Sequence, residues 1–293
     1  MHPYRSVLYM PGSNARALDK ARSLPADALI LDLEDSVAPS RRETARRLAA
    51  EFLAGPRGRA ERWVRINGLG SGAAGADLPP VVVEGLDGIV VPKAGGAEDV
   101  LRLDRWLGSL EAAAGMTPGS VRILPIATET PAAVFRLAEY AQAGPRLAGL
   151  SWGAEDLSAA IGAMSARDGH GRWLPTFQTV RSLCVLAAAA AGVPAVDTVY
   201  TDFRDLDGLR ARAGAARRDG FLGMLAIHPA QVTVVNETFT PTDAEVADAR
   251  RIVDAFAAAP DAGVLDLDGR MVDRPHLLQA RRVLSLARAA AAR

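Results

Sequence analysis

RILPIATETPAAVFRLAEY (122–140) runs from an apolar stretch of strand length into a carboxylate, Glu129, and then into a helical segment. A carboxylate in that position costs too much to bury unless a cation or hydrogen bonds satisfy it. LAGLSWGAED (147–156) repeats the layout, with Glu155 and Asp156 after the apolar run. Outward from these two, β-rich runs occur at SVLYMP (6–11), ALILDLE (28–34), RWVRIN (62–67), GIVVPK (88–93), VDTVYT (196–201) and GMLAIH (223–228). Helical stretches such as 15–23, 40–53 and 97–113 lie between them. Eight strands alternating with helices predict a parallel sheet with helical crossovers. The runs are apolar on both faces, as a sheet covered by helices requires.

Eight such units within residues 1–238 fit an α/β (β/α)8 barrel. The competing open, doubly wound sheet expects a glycine-rich phosphate turn after its first strand, and PGSNAR (11–16) lacks the GxGxxG spacing. Residues 239–293 form an appendage. Thr242 or Asp243 caps a helix over 244–259, AGVLDLDGRMVDRP (262–275) reads as a hairpin-like segment, and a last helix covers 276–292. Such an appendage can cover the mouth of the barrel, in its own subunit or a neighbour's.

Hydrophobic residues at 49% and charged residues at 23% allow a sizeable core. With 34 basic residues against 34 acidic, there is no positive excess to neutralise phosphates, which excludes bulk nucleic-acid binding. Cys184 has no second cysteine to pair with and lies in an apolar helical stretch, so it reads as core. The longest apolar run, 183–196, is too short for a membrane span and contains glycine and proline. The N-terminal apolar stretch is too short for a signal sequence. The expectation is a cytoplasmic protein with no membrane partner.

In a barrel the C-terminal ends of the strands converge on one face. That places Glu34, Asp35, Arg65, Asn67, Lys93, Glu129, Glu155, Asp156, Asp202 and His228 around one mouth. Several carboxylates facing two cations would repel, or stay protonated, unless a divalent cation joins them. Oxygen ligands favour Mg²⁺, with Glu129 and Asp156 as ligands on adjacent strands. The plainer alternative has these acids serving the starts of the following helices. Arg65, inside an apolar strand, needs an anionic partner, either a nearby carboxylate or a substrate. Lys93 is read as pairing with a carboxylate in preference to forming a Schiff base. His228 either holds its loop or touches ligand, and His170 belongs to an exposed loop.

RSVLYMPGSN, LDLEDSVAP, VRING, VPKAG, ETPAAV, GAEDLSAAIG, VYTDFRDLDGL, LAIHPAQV and GRMVDRP resemble, in order and along the whole chain, the citrate lyase β-chain-like proteins, and among them the malyl-CoA and citramalyl-CoA lyases. The resemblance implies a Mg²⁺-dependent carbon–carbon lyase, with Mn²⁺ as a substitute metal, acting on a 3-hydroxyacyl-CoA thioester. It makes Glu129 and Asp156 the metal ligands and Arg65 a catalytic, substrate-binding arginine. The backbone around Thr128, Glu129, Glu155 and Asp156 would cradle the substrate carboxylate, with Glu34, Asp35 and Lys93 behind it. Tyr9, Arg16, Lys20, Ile227 and His228 would meet CoA; Asn14 stands where the family often has arginine. Asp273 would serve as the catalytic proton carrier in a neighbouring subunit's site, which implies a homo-oligomer, a trimer or hexamer. The appendage would set the chain apart from citrate lyase β-chains, expected to be shorter. Rival readings are a malyl-CoA thioesterase or malate synthase-like enzyme, a CoA-independent 2-oxo-acid aldolase, and a subunit of a citrate lyase complex.

Overall fold

The computed structural model describes residues 4–292. The chain folds as two compact units, one running to Asn236 and the other starting at Glu237. The first unit alternates β1 (Ser6–Pro11), α1 (Ala15–Ala21), β2 (Ala28–Asp32), α2 (Arg42–Ala54), β3 (Glu61–Arg65), α3 (Ala74–Val81), β4 (Gly88–Val91), α4 (Ala97–Ala113) and β5 (Arg122–Pro125). It continues through α5 (Pro131–Val134), β6 (Leu150–Ser151), α6 (Ala154–Ala160), α7 (Pro175–Ala190), β7 (Ala195–Asp197), α8 (Leu206–Asp219), β8 (Gly223–Ala226) and α9 (Pro229–Phe239). The division between the units falls within α9.

The eight strands pair in parallel in the order β5-β4-β3-β2-β1-β8-β7-β6. The ends of that order meet: Ala148 N donates to Ile123 O (2.8 Å) and Ala127 N to Ser151 O (2.7 Å), stitching β5 to β6. The fold is a (β/α)8 barrel, as the alternation predicts. Every strand but β1 ends before the apolar run read for it, because the chain there leaves the sheet to form the mouth.

Alternate strand residues fill the lumen. Val7, Ala28, Ile30, Trp63, Val90, Leu124, Ile126, Val196 and Leu225 form one buried cluster. Trp63 pairs in register with Gly88, where an added Cβ would lie 2.2 Å from the indole, so the largest side chain and the missing one share a layer. The N-terminal end of the lumen is closed by polar groups. Glu61 accepts from the Tyr4 hydroxyl (2.5 Å), the Trp63 indole (3.2 Å) and Arg122 (2.5 Å), and Tyr4 stands edge-on to Trp63.

The second unit contains α10 (Asp243–Ala258), β9 (Val264–Leu267), β10 (Arg270–Asp273) and α11 (Arg274–Ala291). Thr242 caps α10 in a reciprocal box with Glu245. The antiparallel β9–β10 hairpin turns on Asp268 and Gly269, both at positive φ (56° and 78°), as a two-residue Asp-Gly turn demands. Ile252, Phe256, Val272, Leu277 and Ala280 form its own core. Among the described residues no helix is long and apolar enough to cross a membrane.

Candidate active site

Register explains the centre of the mouth. Asp32, the last residue of β2, is the direct partner of Arg65, the last residue of β3, so both side chains leave the sheet side by side. Arg65 donates from Nε and Nη2 to the two oxygens of Asp32, each at 2.7 Å, a two-pronged charge-assisted pair. Its third nitrogen, Nη1, lies 3.3 Å from Glu34 and 3.6 Å from Asp35. The guanidinium carbon sits 4.6 Å from the centre of the Tyr9 ring, so Tyr9 packs beneath the arginine. Burial disfavours charge on Asp32, but the Arg65 hydrogen bonds outweigh it and hold the carboxyl below its ordinary value. Arg65 therefore has a protein partner, with one nitrogen left toward the mouth.

Lys93 supplies the second cation. Its Nζ lies 2.5 Å from Glu34, 3.7 Å from Asp35 and 3.6 Å from Asp156. Against its partial burial, these carboxylates raise its pKa, Glu34 foremost, and a permanently protonated amine is unsuited to Schiff-base chemistry. The residue pairs with carboxylates, as its sequence context suggests. Lys93 also adopts a left-handed backbone (φ 54°), and its amide donates to a Glu129 oxygen. A non-glycine residue in that region costs free energy and persists where its surroundings demand it.

Glu129 does not serve the helix after it. Thr130 caps α5, accepting from Ala133 N, which leaves the Glu129 carboxyl in the mouth, 4% exposed. Burial, then the charges of Asp156 and Glu34, push it up to about 8 despite the Lys93 amide. Gly153 makes room for it: a Cβ there would lie 2.5 Å from Glu129 Cγ. The buried Thr128 hydroxyl accepts from Gly153 N (3.2 Å), tying the ends of β5 and β6 together. Glu155 and Asp156 occupy the first turn of α6, Glu155 exposed and Asp156 half-buried.

Among the described residues no group of three or more His, Cys, Asp or Glu gathers as a preformed metal cage. A cation at Glu129 and Asp156 would have two carboxylates from the chain, leaving positions for water and substrate, which suits Mg²⁺. The elevated Glu129 is a carboxyl short of positive charge, so the donor set fits.

Other predicted residues are placed elsewhere. Asp202 is exposed and turns its own loop, accepting from Arg204 N and Asp205 N. β7 ends earlier, at Asp197, which is buried and bound to Trp152 Nε1 (2.6 Å) and Arg181. Asn67 is buried and committed to Asp77 and Leu33 O. His228 holds its loop by accepting from Ala230 N (3.2 Å) and stacks on Phe203, while Ile227 is exposed. Arg16 and Lys20 lie exposed on α1, whose N-cap is Asn14, its side chain accepting from Ala17 N. His170 is exposed. Cys184 is fully buried, its thiol pushed up to about 12 by burial. Asp273 lies in the second unit as N-cap of α11, with Oδ1 2.5 Å from His276 Nδ1.

Two contributors do not stand out in the sequence. Asp32 is unmarked within LDLEDS, although counting alternate residues from Ile30 assigns it to the lumen. Arg42 is hidden in the charge run SRRETARR. It lines a mouth cavity of about 580 Å³ with Glu34, Asp35, Asn67 and Lys93, its Nε buried and unpartnered.

A parallel barrel whose strand ends gather acids and two cations at one mouth has the layout of a (β/α)8 enzyme, with its polar groups where such barrels carry their chemistry. The chain belongs to the HpcH/HpaI aldolase/citrate lyase family, whose model matches residues 5–229, and is an enzyme of the lyase kind. It is 40% identical to a (3S)-malyl-CoA thioesterase of Cereibacter sphaeroides (strain KD131), over 99% of this chain and 97% of that one. It is 38% identical to the citrate lyase subunit beta of Escherichia coli (strain K12), over 97% and 93%. Among solved structures, CitE of Mycobacterium tuberculosis in complex with magnesium, acetoacetate and coenzyme A superposes with a TM-score of 0.79 at 33% identity, covering 97% of both chains. The citrate lyase match extends over nearly the whole chain, so the C-terminal segment does not set this chain apart from citrate lyase β subunits, contrary to the expectation from sequence.

Proposed function

We propose that the protein is a Mg²⁺-dependent lyase that cleaves or forms a 3-hydroxyacyl-CoA thioester, such as malyl-CoA, citramalyl-CoA or β-methylmalyl-CoA, with an acyl-CoA and a 2-oxo acid as the cleaved products. The observation that carries this reading is Glu129: a buried carboxyl, free of any capping duty, raised to about 8 and facing Asp156. Glu129 and Asp156 would hold the Mg²⁺, or Mn²⁺ in its place. When bound, the cation would supply a Lewis acid that lowers the pKa of the substrate's 3-hydroxyl, whose proton would pass to solvent water as the oxo group forms.

The chain's own groups account for the rest. As the C2–C3 bond breaks, its electron pair passes into the thioester and negative charge gathers on the thioester oxygen. Arg65, braced by Asp32, offers Nη1 to that oxygen from a fixed position. Amides near Thr128, Glu129, Glu155 and Asp156 would hold the substrate carboxylate. Arg16 and Lys20, exposed on α1, would meet CoA phosphates, with Tyr9, Ile227 and His228 completing the CoA contacts. Asp273 would exchange the proton at C2, in the site of a neighbouring copy of a homo-oligomer. His276 holds the Asp273 carboxyl below its ordinary value, which keeps it ionised, the state in which it would take that proton in the condensing direction.

A second reading, hydrolysis of the thioester, is favoured by the 40% identical malyl-CoA thioesterase. Product analysis with Mg²⁺ and a panel of malyl-, citramalyl- and β-methylmalyl-CoA separates the two. We expect oxo product, trapped by phenylhydrazine, without free thiol. Thiol without oxo product would make the enzyme a thioesterase, and silence on every ester would turn attention to CoA-independent aldol substrates.

A further inference from the structure

The loop between α6 and α7, with the facing sides of α7 and α8, encloses a cavity of about 710 Å³. Its lining includes none of the residues assigned to the reaction, although Tyr200 and Asp205 come from the loop that leaves β7 and the charge of Glu155 acts on Arg167. Four arginines line it, and two are neutralised: Arg181 by Asp197 (3.1 Å) and Asp219 (2.5 Å), Arg172 by Asp168 (2.8 Å). Among the described residues Arg167 and Arg212 have no carboxylate partner; Arg212 spends one N–H on the Gly171 carbonyl (2.7 Å).

Both unpaired guanidiniums pack on one ring. The Arg167 carbon lies 3.9 Å from the Trp173 centroid and the Arg212 carbon 4.7 Å. Trp173 is only 8% exposed, yet its indole N–H is buried without a partner, as is Nη2 of Arg167. Burial, with the adjacent Arg167 charge, lowers Arg212 to about 10, the mark of a cation lacking a counter-charge. Native proteins rarely leave buried donors unpaired, and here two, the Trp173 indole N–H and Arg167 Nη2, lack an acceptor among the described residues. The Tyr200 hydroxyl, which also lines the cavity, is already committed to Asp205 (2.7 Å). A group of donors without acceptors selects a ligand that only accepts, an ionised oxyanion.

We propose that this cavity binds a small multivalent oxyanion, a phosphate monoester or a dicarboxylate, through Arg167 and Arg212, the two guanidiniums held against the Trp173 ring. The volume suits such a guest, since ligand pockets run from about 300 to 1,000 Å³. No residue assigned to the reaction lines the cavity, so the anion acts there as an effector and not as substrate.

Calorimetric titration of the full-length protein with inorganic phosphate, pyrophosphate and succinate tests the site and tells phosphate from carboxylate as the preferred group. We expect at least one to bind, and R167Q and R212Q each to weaken it about tenfold or more. Lyase turnover without added anion should match the wild type. R212Q also frees the Gly171 carbonyl, whereas the Arg167 side chain anchors no backbone group among the described residues, so R167Q is the decisive variant. Absence of binding by all three anions, or unchanged affinity in R167Q, would overturn the proposal.

Discussion

Arg65 commits Nε and Nη2 to Asp32 and keeps Nη1 for the mouth. Lysine would keep the charge but lose the fork, so Arg65→Lys should lower turnover roughly a hundredfold, with folding intact. Steady-state rates beside a thermal melt would check this; retention of most of the activity would mean that Arg65 is only a structural partner of Asp32. Individual residues are legible from sequence where a polar group interrupts or follows an apolar run, as with Glu129, Arg65 and Lys93. They are illegible where several acids crowd one stretch: LDLED offers three, and only the β2–β3 register reveals which one meets Arg65. Asp197 stays hidden for a related reason, because VDTVYT continues in β-prone residues after the sheet has ended.

At the scale of elements, α4 shows how a helix is fastened to the barrel wall. Its Glu111 is fully buried and accepts from Arg146 twice (2.7 Å each), from Val121 N (2.8 Å) and from Gly119 N (2.8 Å). Burial alone would raise this carboxyl, but those bonds overcome it and bring it to about 2. Its contribution to stability is therefore complete above the ordinary value of 4.5 and lost as the pH falls from there toward about 2. Glu111→Gln should cost about 3 kcal/mol at neutral pH, at the low end for a broken buried pair because Asp104 still faces Arg146, and should flatten the loss of stability on acidification. Urea unfolding at several pH values would show both effects, and a variant as stable as the wild type would refute this role for Glu111. The elements themselves are readable from alternation and turn chemistry, and the Asp268-Gly269 turn from its dipeptide. Their ends are not, because residues leaving a sheet for a shared mouth are chosen for their neighbours across the barrel, which no local pattern contains.

For the whole molecule, the proposed mechanism assigns Arg65 and Asp273 to one site built from two copies of the chain. Two impaired variants, Arg65→Lys and Asp273→Asn, should then gain turnover over either parent when co-expressed as mixed oligomers, since some sites would receive both intact residues. A mixture as impaired as its parents, shown by mass analysis to have exchanged subunits, would place both residues in the same chain's site. The Tyr4, Glu61, Trp63 and Arg122 cluster adds a consequence of a different sort. Among the described residues that end of the lumen is filled, so the proposed substrate would enter and its products leave at the C-terminal ends of the strands. Of the two products of the proposed cleavage, the one seated deeper would then leave after the other, so the order of release would follow from position as well as from affinity.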